Sequence, residues 1–150
     1  MESKKYIHYG HKNFDRNLFV NVFNERFCAT KPHGGLWASA VDATWGWKDW
    51  CKENDFMDCT EDNSFSFHLA PTANVLVIDN IDCLEDLPRA ECGEFSHDLW
   101  VSLDFEKLRD SGVDAIEYVL SADQRLYWAL YGWDCDSILI MNPDIIVEEF

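Results

Sequence analysis

The fold is decided by the stretch KPHGGLWASAVDATWGWKDWC, which covers residues 31–51. It contains four of the chain's seven tryptophans. A buried indole needs a hydrogen-bond partner for its N–H, so a cluster this dense favours a wall on which a flat ring stacks. The pair Gly34 and Gly35 precedes the cluster, and residues without a Cβ let another group approach the backbone closely. The stretch therefore predicts a ligand-stacking wall beside a close backbone contact.

Hydrophobic periodicity predicts the elements on either side of this stretch. Strands are predicted at 4–8, 35–39, 64–69, 74–78, 113–120, 137–141 and 145–149. Helices are predicted at 13–27, from Asp42 or Thr44 to Glu53, from Ser102 or Asp104 to Gly112, and for one or two turns within 122–131, with a short helix or turn at 81–87. Because strands and helices do not alternate regularly, we expect an α+β fold with mainly antiparallel strands and a few flanking helices. The β-branched run at 74–78 is expected to lie inside the sheet.

Size and composition predict one globular domain over 1–150, since 150 residues that are 47% hydrophobic can bury a core. No apolar run reaches the length of a membrane span, and the charged first residues lack the apolar segment of a secretion signal. We therefore expect a cytoplasmic protein without a membrane partner. The six cysteines form no CxxC pair and are expected to be free thiols. Cys51, Cys59 and His68 fit no common zinc spacing, so no metal is expected.

The chain is strongly acidic, with 28 acidic against 12 basic residues and a net charge of −16. General nucleic-acid binding needs a basic face, so that class is excluded. Solubility alone is the plainer interpretation of this charge. The sharper interpretation is a basic partner, either a nucleic-acid-binding protein or an enzyme that works on nucleic acid.

Two histidines and one tryptophan are candidate binding residues. His8 ends the first predicted strand just before a glycine, where a side chain can point into a cleft, and His11 follows closely. A surface turn is the plainer interpretation of both. For Trp37, ligand stacking and core packing are equally open, because the small neighbours Ala38 and Ser39 leave space around its ring.

Three acids are candidates for chemistry. Asp134 and Asp136 are two residues apart before a predicted strand, so both point to one side if that strand extends to them. Such a carboxylate can bind a sugar hydroxyl or stabilise a cation, although a solvated turn is equally common. Glu117 lies within an apolar strand, where a charge either faces water or serves a site. The chain has no nucleophile elbow, Walker loop or GxGxxG motif.

Taken in order, these pieces resemble the ADP-ribosyltransferase superfamily, in the branch of the poly(ADP-ribose) polymerases and diphtheria-type toxins. That family has a histidine at the end of a first strand, then a Gly-x-aromatic strand that leads into a helix, then an acid at the start of a later strand. The matching positions are His8, the segment 35–39, and Asp136 or Asp134, with Glu117 as the fallback. The chain departs from the usual residues by a tyrosine after His8, a tryptophan for tyrosine, and aspartate for glutamate.

The resemblance implies a fold of split, mainly antiparallel sheets and NAD as the substrate. It implies a mono-ADP-ribosyltransferase that modifies a protein or nucleic-acid target, as a bacterial or phage effector, toxin or anti-defence protein. The carboxylate would hold the 2′-hydroxyl of the nicotinamide ribose and stabilise the positive charge that develops as nicotinamide leaves. No metal is implied.

The resemblance also implies roles for individual residues. His8, or His11 in its place, would hydrogen-bond the adenosine ribose, and Trp37 would stack on nicotinamide. Trp45 or Trp47 would close the other side of that ring. The remaining cofactor-binding positions are those of the strand motif and the cations that offset the pyrophosphate: Gly35, Ser39, Lys31, Arg16 and Lys48.

Two alternatives stay open. One is a non-catalytic acidic protein that inhibits a basic, nucleic-acid-binding partner by charge mimicry, which would be sensitive to salt and indifferent to NAD. The other keeps the fold but has lost catalysis, with a cleft that binds a nucleotide or nothing.

Overall fold

The computed structural model describes residues 3–24, 29–91 and 101–148. Within these residues, seven strands form one sheet. Their bounds are β1 Lys5–Tyr9, β2 Leu36–Ala40, β3 Ser64–Leu69, β4 Val75–Ile78, β5 Ala115–Tyr118, β6 Ser137–Ile140 and β7 Ile146–Glu148. The α-helices of the same residues are α1 Trp47–Asn54, α2 Phe105–Asp110 and α3 Leu126–Ala129. No helix in the described ranges is long and apolar enough to cross a bilayer.

The sheet order is β4-β5-β6-β2-β1-β3-β7. Every neighbouring pair is antiparallel except β4 and β5, which are parallel. The expected α+β fold with mainly antiparallel strands is therefore confirmed. The expected place of β4 inside the sheet is wrong, because β4 forms one edge and Val77 is 43% exposed. A run of β-branched residues fits an edge strand as well as a central one when one face packs on the core.

The hydrophobic core has two parts, one on each face of the sheet. The central strand β6 supplies both, since Leu139 belongs to the cluster under the helices while Ile138 and Ile140 belong to the opposite cluster. Alternation along a strand sends successive side chains to opposite faces. This explains why all four residues of β6 are apolar or small and buried.

The helix expected at 13–27 is wrong over the described part of that range. Only Arg16–Leu18 forms a 3-10 turn, opened by the Asp15 carboxylate accepting from the Asn17 N–H at 2.9 Å. The chain then runs extended, because its backbone bonds to the segment before β2. The Gly35 N–H donates to the Val20 carbonyl at 2.8 Å. Long-range pairing has overridden a helical spacing of apolar residues.

Helix α1 begins later than expected. A turn closed by the Ala43 N–H on the Ala40 carbonyl comes first, and Gly46 is the residue before the helix. The Asp49 carboxylate accepts from the Gly46 N–H at 2.9 Å, which satisfies a donor that the helix cannot. Residues 42–46 therefore form a loop, and only two of the clustered tryptophans lie on the helix.

Candidate functional site

The site begins where the sheet splits. Strand β1 pairs with β3 over five positions, but with β2 at only two, Tyr6↔Ala40 and Ile7↔Ser39. No pairs between β1 and β2 follow toward the end of β1, while the first half of β2 stays paired with β6 on its other side. A wedge-shaped gap opens between the end of β1 and the start of β2.

A cavity of about 240 Å³ fills this gap, and we call it the indole cleft. Strand β1 contributes Ile7–Tyr9, and β2 contributes Trp37 and Ala38. Helix α1 contributes Trp47, and the loop after it contributes Met57. The wall is completed by Lys31, Trp133, Cys135 and Ser137. The cleft is thus lined mainly by apolar and aromatic side chains, with one ammonium, one imidazole, one thiol and the hydroxyls of Tyr9 and Ser137.

Trp37 forms the central wall of the cleft. Its ring packs edge-on against Trp133, with centroids 4.9 Å apart and planes at 81°. The Lys31 ammonium lies 5.3 Å from the Trp37 ring centroid, which is cation–π geometry. One edge of Trp37 is therefore packed in the core while a face is open to a cation, so packing and ligand stacking are compatible.

His8 spans the gap between the two strands. Its Nδ1 lies 2.7 Å from the Trp37 carbonyl oxygen, and its Nε2 lies 3.0 Å from His11 Nδ1. A carbonyl only accepts, so Nδ1 of His8 carries the proton and Nε2 of the neutral ring accepts from His11. Both nitrogens of His8 are engaged by the chain itself. A sugar hydroxyl would reach this pair through His11, in the adjacent pocket of about 180 Å³ that both rings line.

Lowering the pH is expected to destabilise the fold through His8. Burial lowers the pKa of His8, the bond to the Trp37 carbonyl raises it, and His11 lowers it again, with a net decrease. The folded state therefore binds fewer protons than the unfolded chain, whose histidine pKa is about 6.5. This contribution is complete above that pH and is lost as the pH falls below it. Urea unfolding at about pH 7.5 and about pH 5.5 measures the loss.

The matched variant is His8→Asn, whose amide keeps a donor toward the Trp37 carbonyl but does not titrate. It should lose less stability than the parent between the two pH values. Equal losses in both proteins would show that His8 is not the titrating group.

Asp136 is part of the scaffold rather than of the cleft wall. Its carboxylate accepts from the Ser121 N–H at 2.8 Å, the Ser121 hydroxyl at 2.7 Å and the Trp45 N–H at 3.3 Å. The residue is 6% exposed. These bonds hold two loops against the start of β6. Asp136 was expected to approach a ligand beside Trp37. Its carboxylate is instead bound to Ser121 and Trp45, outside the cleft.

The other two acids also differ from expectation. Glu117 accepts from Lys4 Nζ and the Tyr6 hydroxyl, both at 2.9 Å, and it lines a separate polar pocket of about 170 Å³. Asp134 has a positive φ of 64°, so it is not extended and does not share a side with Asp136. It lies between the cleft residues Trp133 and Cys135. Burial raises the pKa of Asp134, and Lys31 opposes that rise.

Several motif residues serve the chain's own structure. The Ser39 hydroxyl donates to the Asp136 carbonyl at 2.8 Å and accepts from the Trp47 N–H at 2.9 Å. The Trp45 carbonyl accepts from the Asp136 N–H at 2.7 Å, and Trp45 is not among the described residues that line the cleft. The backbone that approaches Gly34 belongs to Val20 and Asn21, and no ligand is needed to explain that glycine.

Seven lining residues were not among the predicted site residues: Ile7, Tyr9, Ala38, Met57, Trp133, Cys135 and Ser137. Two of them could have been found from the sequence, because Trp133 directly precedes the candidate acid Asp134 and Ser137 is the first residue of a predicted strand. Met57 lies in an acidic loop without one. Burial raises the pKa of Cys135 to about 12, so its thiol is protonated at neutral pH and is not a nucleophile.

Cysteines and metal ligands add no further chemistry in the described ranges. Cys51, Cys59, Cys83 and Cys135 have free thiols, while Cys28 and Cys92 lie outside those ranges. No group of three or more metal-ligating side chains there could hold an ion.

The structure thus places His8, Lys31, Trp37 and Trp47 around one gap in the sheet and His11 in the adjacent pocket, and it leaves Asp136 and Glu117 outside both. Asp134 lies beside the gap, within the electrostatic reach of Lys31. A comparison of the chain with protein-family models, curated proteins and solved structures finds no match, so function has to be inferred from this cleft.

Proposed function

We propose that the chain binds NAD in the indole cleft and acts as a mono-ADP-ribosyltransferase on a basic target. The single observation that carries the proposal is the meeting, at one gap, of two motif positions that are distant in sequence with the start of a third strand. His8 at the end of β1, Trp37 on β2 and Ser137 at the start of β6 all line the same cavity. These are adjacent strands, although they are far apart in sequence.

The size of the cleft suits one ring of a dinucleotide. Pockets that enclose a whole drug-sized ligand measure roughly 300–1,000 Å³. The indole cleft, at about 240 Å³, is smaller, and the pocket beside His11 adds about 180 Å³. The two share His8 and Trp37, so a long ligand could occupy both. Aromatic walls favour a flat ring in the indole cleft.

The Trp37 face, on which a cation already lies, favours nicotinamide for that ring. The nicotinamide ring of NAD is a cation, and a cation already lies against Trp37, namely the Lys31 ammonium at 5.3 Å. The oxidised ring would take that place by the same cation–π attraction. The flexible Lys31 side chain would then turn toward the pyrophosphate, whose negative charge otherwise opposes binding to a chain of net charge −16.

The transfer step needs a carboxylate near the reacting carbon. The bond from nicotinamide nitrogen to ribose C1′ breaks, the electron pair leaves with nicotinamide, and a nucleophile of the target attacks C1′ and releases its proton to solvent. Asp134 is the acid best placed to stabilise the cationic sugar, because cleft residues precede and follow it. A positioned group of this kind contributes roughly 3–4 kcal/mol to the transition state.

Trp37→Ala should abolish NAD binding. In the parent, NAD at about 100 times its dissociation constant should add roughly 2.7 kcal/mol to stability, read as a rise in melting temperature. The variant should show no such rise. The matched control is Trp128→Ala, which removes an indole 68% exposed and outside the cleft, and which should keep the response. A parent that ignores NAD, or a Trp37→Ala variant that responds equally, would contradict the proposal.

The same proteins separate binding from transfer. With labelled NAD and a cell lysate, Asp134→Asn should keep the thermal response and lose both label transfer and nicotinamide release. If the parent binds NAD but neither labels a target nor releases nicotinamide, the binding proposal stands and the transferase proposal falls.

A second candidate function is favoured by the absence of any aspartate or glutamate from the described lining of the indole cleft. In that case the chain is an acidic binding protein that inhibits a basic, nucleic-acid-binding partner. Association would weaken steeply with salt, and Trp37→Ala would leave it unchanged.

A further inference from the structure

The outer face of α3 and the turn after it carry three exposed aromatic rings, which we call the aromatic platform: Tyr127, Trp128 and Tyr131. The inward residues of the same segment, Leu126 and Leu130, are fully buried, so the helix is firmly seated. Trp128 is 68% exposed and Tyr131 is 48% exposed. Large aromatic side chains left in water at neighbouring positions commonly mark an interaction surface.

The rings of the platform form one ordered surface. Trp128 and Tyr131 are stacked, with centroids 5.8 Å apart and planes at 5°. Tyr127 meets Trp128 edge-on at 5.0 Å and Tyr131 edge-on at 5.8 Å. Mutual packing limits their rotamers before any partner arrives. Little side-chain entropy is therefore lost when a partner binds.

The charges beside the platform favour a cationic partner. The preceding cation, Arg125, is neutralised by Asp123, which accepts from its Nε at 3.0 Å and its Nη2 at 2.9 Å. Asp82 also lies within electrostatic reach of this arginine. The chain as a whole carries −16. A phosphate backbone would be repelled here, whereas a positive surface would be attracted.

We propose that the aromatic platform docks arginine side chains of a basic protein partner. A guanidinium is planar and weakly hydrated, and it stacks on the faces of Trp and Tyr. The acidic surface of the chain speeds the encounter, and the stacked rings hold the bound side chain. Trp and Tyr are among the residues that most often dominate binding energy at protein interfaces. This inference does not depend on NAD binding.

The test is the affinity of the whole chain for a labelled oligo-arginine peptide, measured by fluorescence anisotropy. The variant Trp128→Leu with Tyr131→Leu keeps apolar surface and removes the aromatic faces. It should bind about tenfold more weakly than the parent, and an oligo-lysine peptide of equal length should bind the parent more weakly than oligo-arginine does. Phe56→Leu is the matched control, since this ring is 63% exposed outside the platform, and its affinity should equal that of the parent.

Three results would overturn the proposal. The double variant could bind oligo-arginine as tightly as the parent does. The parent could bind single-stranded DNA through the platform, which would make the partner a nucleic acid. Sedimentation could show that the parent dimerises and the variant does not, which would make the occupant a second copy of the chain. Circular dichroism checks folding, and the single variant Trp128→Leu replaces the double variant if the latter unfolds.

Discussion

Asp136→Ala is expected to unfold the protein more than it impairs any chemistry. The buried carboxylate accepts three hydrogen bonds, from the N–H and hydroxyl of Ser121 and from the N–H of Trp45. Each donor left without an acceptor costs roughly 1–3 kcal/mol. With partial rescue by water, the loss should be on the order of 4 kcal/mol, measured by urea unfolding. The Ser121 loop and the Trp45 loop should loosen together, because one side chain holds both.

Two variants separate structure from charge at this position. Asp136→Asn keeps one carbonyl oxygen, so it should lose only a part of what alanine loses. Asp134→Asn removes the same charge from a left-handed turn position that asparagine tolerates well, and it should stay within about 0.5 kcal/mol of the parent. If Asp136→Ala is as stable as Asp134→Asn, the scaffold role of Asp136 is wrong.

Gly34→Ala should lower the free energy of unfolding about as much as Asp136→Ala does. Glycine adopts φ +78° here, and an added Cβ would lie 2.5 Å from the Asn21 carbonyl oxygen and 2.7 Å from that of Val20. Left-handed strain costs roughly 1–3 kcal/mol, and overpacking costs another 1–3 kcal/mol or so. We expect a loss of about 4 kcal/mol in urea unfolding. The extended segment around Val20 should separate from the entry to β2.

Gly112→Ala is the control that isolates strain from collision. This glycine has φ +101°, but an added Cβ would meet nothing within 4 Å. The stability that Gly112→Ala loses should therefore come only from the strain of a left-handed backbone conformation. Equal destabilisation of Gly34→Ala and Gly112→Ala would show that an added Cβ at position 34 does not collide with the carbonyl oxygens of Val20 and Asn21.

The local elements of this fold were largely readable from the sequence. The strands β1, β2, β3 and β6 lie within a residue or so of their predicted places, because alternation and apolar runs report burial directly. The capping residue of α2, Asp104, was also named, and its carboxylate accepts from the Lys107 N–H at 2.9 Å. Such signals act over a few residues and need no knowledge of distant partners.

The predictions that were wrong concern segments whose conformation depends on contacts with distant parts of the chain. The spacing around Val20 reads as a helix, yet the segment is extended because Gly35 binds its backbone. The two aspartates before β6 were expected to share a side, and a left-handed residue at Asp134 separates them. The Asp136 carboxylate is held away from the cleft by Ser121 and Trp45, and no local sequence pattern reports where those two residues lie. The strand positions of His8 and Trp37 were predicted more closely than the conformation of the two aspartates, because alternation along a strand reports burial locally.

The pairing between β1 and β2 has the shortest register of any two neighbouring strands in the described sheet, and it joins one part of the sheet, β4, β5, β6 and β2, to the other, β1, β3 and β7. Among the described residues, the strand residues in the core cluster under the helices come from β4, β5, β6 and β2, whereas the opposite cluster includes residues from both parts of the sheet, such as Tyr6 and Ile138. On one face of the sheet, hydrophobic packing connects the two parts. Where β1 and β2 separate, the hydrogen bond from His8 to the Trp37 carbonyl connects them. A molecule bound in the indole cleft would contact both parts of the sheet. Its binding would therefore change the cooperativity of thermal unfolding.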